Sequence, residues 1–189
     1  MRQTNTLEQD LVNYFIDKIK RCARAENIPC DFIQIETGAT AIGVPDALMF
    51  LGNSTFWIEF KRMKGQTSRA SVHDTAKNVG GHLKFQPGQL RMLHRLIDHS
   101  EKAFVCAITE SQDAMFIHPN KLPLDGGGAA RCPKDCMLYA YPSIWEGLKV
   151  FLTEEFTDVI AWEEITPPSV CLTETEGEGD WVVPDKEPL

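Results

Sequence analysis

The apolar pattern predicts an α/β fold, a β-sheet flanked by helices. Three observations predict it. Residues 7–26 and 88–99 repeat apolar side chains at helical spacing. Residues 31–36, 46–51, 55–61 and 103–108 are short alternating or apolar runs that read as strands. Their order along the chain is helix, three strands, helix, strand. At 189 residues, with 43% apolar and 24% charged side chains, the chain can bury a core without disulfides or a structural metal.

The first helix is expected over 7–26, where Leu7, Leu11, Phe15, Ile16 and Ile19 keep one apolar face. Thr6 suits the N-cap and Glu8 falls in the first turn. After Pro29, alternation over 31–36 gives a strand. A loop with two glycines runs from Gly38 to Pro45, then 46–51 (DALMFL) forms an apolar run. Gly52-Asn53 turns the chain into strand 55–61 (TFWIEFK), so an antiparallel hairpin is expected. Residues 63–84 show little regularity and form a long loop with Lys64, Arg69, Lys77 and Lys84. Helix 88–99 follows, with Leu90, Leu93, Leu96 and Ile97 on one side. Residues 103–108 (AFVCAI) read as a buried strand, 114–118 as an edge strand beside it, and 143–152 as a short helix. From Pro167 the chain loses periodicity and gains acid, so 167–189 reads as a disordered acidic tail.

Charge is unevenly placed. Residues 1–110 carry 14 Lys and Arg against 12 Asp and Glu, whereas 111–189 carry 5 against 15. The overall charge of −8 therefore leaves room for a nucleic-acid surface in the first part. No apolar run is long enough to span a membrane. The opening MRQTNTLEQD has no apolar signal region, and six cysteines at irregular spacing do not read as a disulfide framework. A cytoplasmic, reducing setting is expected, with no membrane partner.

The informative residues are Gly43-Val44-Pro45-Asp46 and Glu59-Phe60-Lys61. Glu59 and Lys61, two apart on a strand, share one face, while Ile58 and Phe60 point to the other, into the core. If 46–51 pairs with 55–61, Asp46 approaches Glu59 near one end of the sheet. Two carboxylates in apolar surroundings repel each other and are pushed toward protonation. A hard divalent cation removes that penalty, and Mg²⁺ takes one or two carboxylates plus water and phosphate oxygens. The carbonyl of Phe60, between the two side chains, is a further candidate ligand. Lys61 then adds a positive charge beside the metal, suited to charge developing on a phosphorane. Taken singly, Glu-x-Lys is usually a surface pair and Pro-Asp usually a turn. It is their placement on adjacent strands that points to phosphodiester hydrolysis.

These segments resemble the PD-(D/E)xK nuclease superfamily, most closely its VRR-NUC and Holliday-junction-resolvase-like branch, common in phages. The segment Phe85-Gln86-Pro87-Gly88-Gln89 resembles that branch's L-S-P-x-Q, with Gln89 at the glutamine position. The resemblance covers about residues 7–110 and implies a restriction-endonuclease-like core with a central mixed β-sheet flanked by helices. It implies Asp46, Glu59, Lys61 and Gln89 as catalytic residues, Glu8, Asp46, Glu59 and Phe60 as metal ligands, and Mg²⁺ or Mn²⁺ as cofactor. The expected activity is metal-dependent endonucleolytic cleavage of DNA, with branched or junction DNA as the substrate class. A homodimer and a phage-encoded origin in a bacterial host are further expectations.

Residues 1–110 are thus expected to be the nuclease core, 111–166 an extension packed on it, and 167–189 the acidic tail. Arg62, Lys64, Arg69, Lys77 and Lys84 are candidate phosphate contacts, or else a solvated loop. Arg91 and Arg95 either extend that patch or form a solvated face. The tail, with Trp181, Val182 and Val183, either binds a partner protein, competes for the DNA groove, or simply solubilises. Cys132 and Cys136 (CPKDC) supply only half of a zinc site. The alternative to an enzyme is a non-catalytic nucleic-acid- or protein-binding module on the same fold. Retention of Asp46, Glu59 and Lys61 together argues against it. A third reading is an interaction protein built around the acidic C-terminal part.

Overall fold

The computed structural model describes residues 3–35, 43–63, 82–86, 88–122, 129–133, 136–139 and 143–156. Its centre is a six-stranded mixed sheet built from β1 (Cys30–Gln34), β2 (Ala47–Leu51), β3 (Ser54–Met63), β5 (Ala103–Thr109), β6 (Ala114–Ile117) and β8 (Leu138–Tyr139), in the spatial order β1-β2-β3-β5-β6-β8. A two-stranded ribbon joins β4 (His82–Lys84) to β7 (Ala129–Arg131). Among the described residues three α-helices flank the sheet, α1 (Gln3–Ala25), α2 (Gln89–Asp98) and α3 (Ile144–Glu155), with a short 3-10 helix at Pro119–Lys121. The sequence of α1, three strands, α2 and β5 is the expected one, and the sheet is α/β and mixed as expected.

Both faces of the sheet are covered. Phe56, Ile58 and Phe60 of β3, with Phe104, Cys106 and Ile108 of β5, face α1 and α3 through Phe15, Ile19, Leu148, Phe151 and Leu152. Phe104 meets Phe56, Phe116 and Phe151 at ring-centroid distances of 6.2, 6.1 and 5.4 Å. The opposite face carries Met63 of β3 and Ala103, Val105 and Ala107 of β5, packed with Leu93 of α2, Leu83 and Phe85. Every residue of β5 is buried, because helices cover both sides of it. The face that carries Glu59 is therefore a second apolar core.

The β2–β3 hairpin forms with Leu51 opposite Ser54 across Gly52-Asn53 and Ala47 opposite Ile58. β3 then runs parallel to β5, with Glu59 beside Val105 and Lys61 beside Ala107. This parallel step requires a long crossover, which contains β4 and α2.

Several boundaries differ from expectation. α1 begins at Gln3, so Thr6 lies within the helix instead of capping it and Glu8 falls beyond the first turn. β6 lies inside the sheet, because β8 pairs with it and takes the edge. The stretch 63–84 ends in β4, which was too short to show any period. α3 extends to Glu155 and docks beside β8 at Gly147, where an added Cβ would lie 2.2 Å from Tyr139 Cγ. Glu26 ties α3 to α1, accepting hydrogen bonds from Trp145 Nε1 (2.7 Å) and Lys149 Nζ (2.9 Å). No helix among the described residues is long and apolar enough to cross a membrane.

Candidate active site

Asp46 stands just before β2, where the ladder with β3 ends. A strand N–H at such an end needs another acceptor. Phe60 N donates to Asp46 Oδ2 at 2.8 Å, while the Asp46 carbonyl accepts from Ile35 N at 2.8 Å. The hairpin thus fixes the Asp46 carboxylate over the middle of β3.

Glu59 projects from β3 on the α2 side and has no solvent exposure. Its Oε1 pairs with the Lys61 ammonium. Among the described residues neither Oε atom makes a well-formed hydrogen bond. Burial pushes the Glu59 carboxyl up, Lys61 pulls it partly back and the neighbouring Asp46 raises it again, so it rises from its ordinary 4.5 to about 8. Asp46 is also raised by burial, against the opposing effects of the Phe60 N–H and the Lys61 charge.

Lys61 meets several groups of the described residues. Besides Glu59, its Nζ donates to Gln89 Oε1 at 3.0 Å and lies 5.2 Å from the centroid of the Phe85 ring. Gln89 Oε1 also accepts from Gln86 N at 2.7 Å, so two donors fix which end of the amide faces Lys61. Gln89 is the first residue of α2, behind Gly88 at φ +91°. The loop of Asp46 packs against this same turn. Gly43, at φ +102°, lies so close that an added Cβ would be 2.9 Å from the Gly88 carbonyl carbon. Asp46, Glu59, Lys61 and Gln89, from four places in the sequence, are brought together.

Glu8 is not brought into that group. It lines a shallow cleft with Leu11, Val12, Phe60, Lys61, Arg62 and Ile108. α1 covers the face from which Phe60 projects, whereas Glu59 points to the opposite face. No three His, Cys, Asp or Glu side chains among the described residues are grouped to hold a metal ion. The two carboxylates do suit a hard cation that keeps water ligands, because Glu59 and Asp46 are buried side by side and burial raises the cost of ionising each.

Arg62 pairs with Glu110, which follows the end of β5, and its side chain is 16% exposed. Lys84 is exposed on β4. Lys64, Arg69, Lys77 and the tail 167–189 lie outside the described residues. Arg91 is exposed on α2, and Cys132 and Cys136 are buried in the apolar core beneath α2. Phe85 and Glu110 were not singled out from sequence. No spacing signal links Phe85 to Lys61, and Glu110 meets Arg62 only because β3 and β5 run parallel.

No known protein family's sequence profile matches the chain, and no curated protein matches it. Among solved structures, the Holliday junction resolvase Hjc of the archaeal hyperthermophile Archaeoglobus fulgidus aligns with 73% of this chain and 98% of its own, at 13% identity and a TM-score of 0.46.

Two outcomes follow from this geometry. Glu59 ionises near 4.5 when unfolded and near 8 when folded, so the metal-free protein loses stability as pH rises between those values. Thermal melts in EDTA should show the melting temperature falling from about pH 5.5 to about pH 8, with a flatter trend in Glu59→Gln. Equal slopes in the two proteins would contradict the burial account. Gly43→Ala should cost about 1–3 kcal/mol in urea denaturation, because positive φ and the Gly88 contact both resist a side chain. A cost within error of zero would show that the Asp46 loop does not need that approach.

Proposed function

We propose that this protein is a metal-dependent endonuclease that hydrolyses DNA phosphodiester bonds, with branched or junction DNA as its substrate class. The observation that carries the reading is Glu59, a fully buried carboxylate set beside Asp46 whose counter-ion among the described residues is Lys61. Such a group is costly unless the site receives a cation. A bound Mg²⁺ or Mn²⁺ would supply a Lewis acid for a phosphate oxygen and a lowered pKa for a bound water.

The chain's own residues do the rest. Asp46, held by the Phe60 N–H, and Glu59, held by β3, present carboxylate oxygens at one spot, and the Phe60 carbonyl is the further proposed ligand. Lys61 keeps an ammonium beside them, where it opposes negative charge building on the phosphate. Gln89 holds that ammonium from the start of α2. Lys84, and Arg62 if it turns from Glu110, are the described basic groups that would meet the phosphate backbone. Residues 1–110 form the nuclease core in this reading, and β6, β8 and α3 complete its sheet and its packing. The junction preference rests on the sequence resemblance.

The test is cleavage of supercoiled plasmid, linear duplex, single-stranded and four-way-junction DNA with Mg²⁺, Mn²⁺ or EDTA. Cutting should vanish in EDTA and fall at least about 100-fold in Asp46→Asn, Glu59→Gln and Lys61→Ala, with circular dichroism unchanged. Cleavage that survives Lys61→Ala or EDTA would refute the assignment.

A further inference from the structure

The Lys61 ammonium and a divalent cation would compete for Glu59. The ammonium is ion-paired with Glu59 Oε1, so a cation bound to the same carboxylate would stand within a few ångströms of it. Like charges that close repel strongly in a site shielded from water, and Lys61 is only 11% exposed. A cation on Glu59 would therefore weaken the hold of Glu59 on Lys61, and the ammonium would depend on its other contacts to keep its place.

Two of its neighbours are neutral and rich in electrons. One is Gln89 Oε1, 3.0 Å from Nζ and fixed in orientation by Gln86 N. The other is the ring of Phe85, itself buried, whose centroid is 5.2 Å from Nζ. An aromatic face attracts an ammonium without accepting its proton or cancelling its charge. An acidic neighbour would hold Lys61 as firmly but would neutralise it toward a phosphate.

We infer that Phe85, together with Gln89, is a positioning residue, a neutral seat that keeps the Lys61 ammonium at the site once Glu59 is given over to a divalent cation. The inference rests on the nuclease reading for its purpose, and on the contacts of Lys61 for its geometry. Before loading, Lys61 is in contact with Glu59 as well as with the ring and the amide. After loading, it stays on the ring and the amide with its charge intact.

The full chain labelled with ¹³Cε-lysine tests this, with Lys61→Arg used to assign the Lys61 signal. The Lys61 ε-protons should be shifted upfield by the Phe85 ring, and that shift should persist when Mg²⁺ saturates the protein. An absent shift, or one that disappears with Mg²⁺, overturns the seat. The wild-type spectra decide this even if a Phe85 variant does not fold, and even if the protein cuts no DNA, so failure of the nuclease reading is distinguishable from failure of the seat. In cleavage, Phe85→Leu should lower kcat about tenfold with KM for DNA unchanged, and Phe85→Tyr, which keeps an aromatic face, should remain within about twofold of wild type. Equal losses in Phe85→Leu and Phe85→Tyr, or a loss expressed in KM alone, would reduce Phe85 to a packing residue and overturn the proposal.

Discussion

Glu59 is an ionisable carboxylate with no access to water, placed on β3 beside Val105 of β5. Burying such a group costs several kcal/mol unless it is neutralised or paired. The architecture around the site answers that one cost. Asp46 stands beside it, held by a strand N–H that has lost its ladder partner. Lys61 lies two residues along the same face. Gln89 and Phe85 close over Lys61 from the crossover segment. Each contact is ordinary alone. Together they make a small buried polar cluster in an apolar sheet, the kind of setting in which perturbed ionisable groups mark a candidate site.

The topology explains how the cluster can be assembled. An antiparallel hairpin sets Asp46 beside β3 by local pairing. A parallel step from β3 to β5 forces a long crossover, which returns α2 with its first turn over Lys61. Gly43 lets the Asp46 loop touch that turn directly, so the two halves of the site are locked to each other and not only to the sheet. On the far face, α1 and α3 seal the aromatic core of Phe56, Phe104, Phe116 and Phe151, which leaves Glu59 no route to solvent on that side.

Much of this was legible in the sequence because it depends on local signals. The turn at Gly52-Asn53 fixes the hairpin register, and period-two alternation puts Glu59 and Lys61 on one face. The order of elements followed from apolar periodicity. What stayed hidden is non-local or short. β4, β7 and β8 span two or three residues each, too few to show a period. The pairing of Arg62 with Glu110 needs the register of β3 with β5. Glu8 stands on α1, on the other side of the sheet from Glu59, and lines a cleft with Phe60 and Lys61, a placement that its position in the chain alone does not give. Alternation put Glu59 and Lys61 on one face but did not reveal which crossover segment covers it.

The most direct test of the account is a crystal structure grown with Mn²⁺ and read by anomalous scattering. The account predicts a manganese peak within bonding distance of both Asp46 and Glu59 carboxylates, with Lys61 resting on Gln89 and Phe85. No peak between those carboxylates at saturating Mn²⁺, with Lys61 still paired to Glu59, would contradict it.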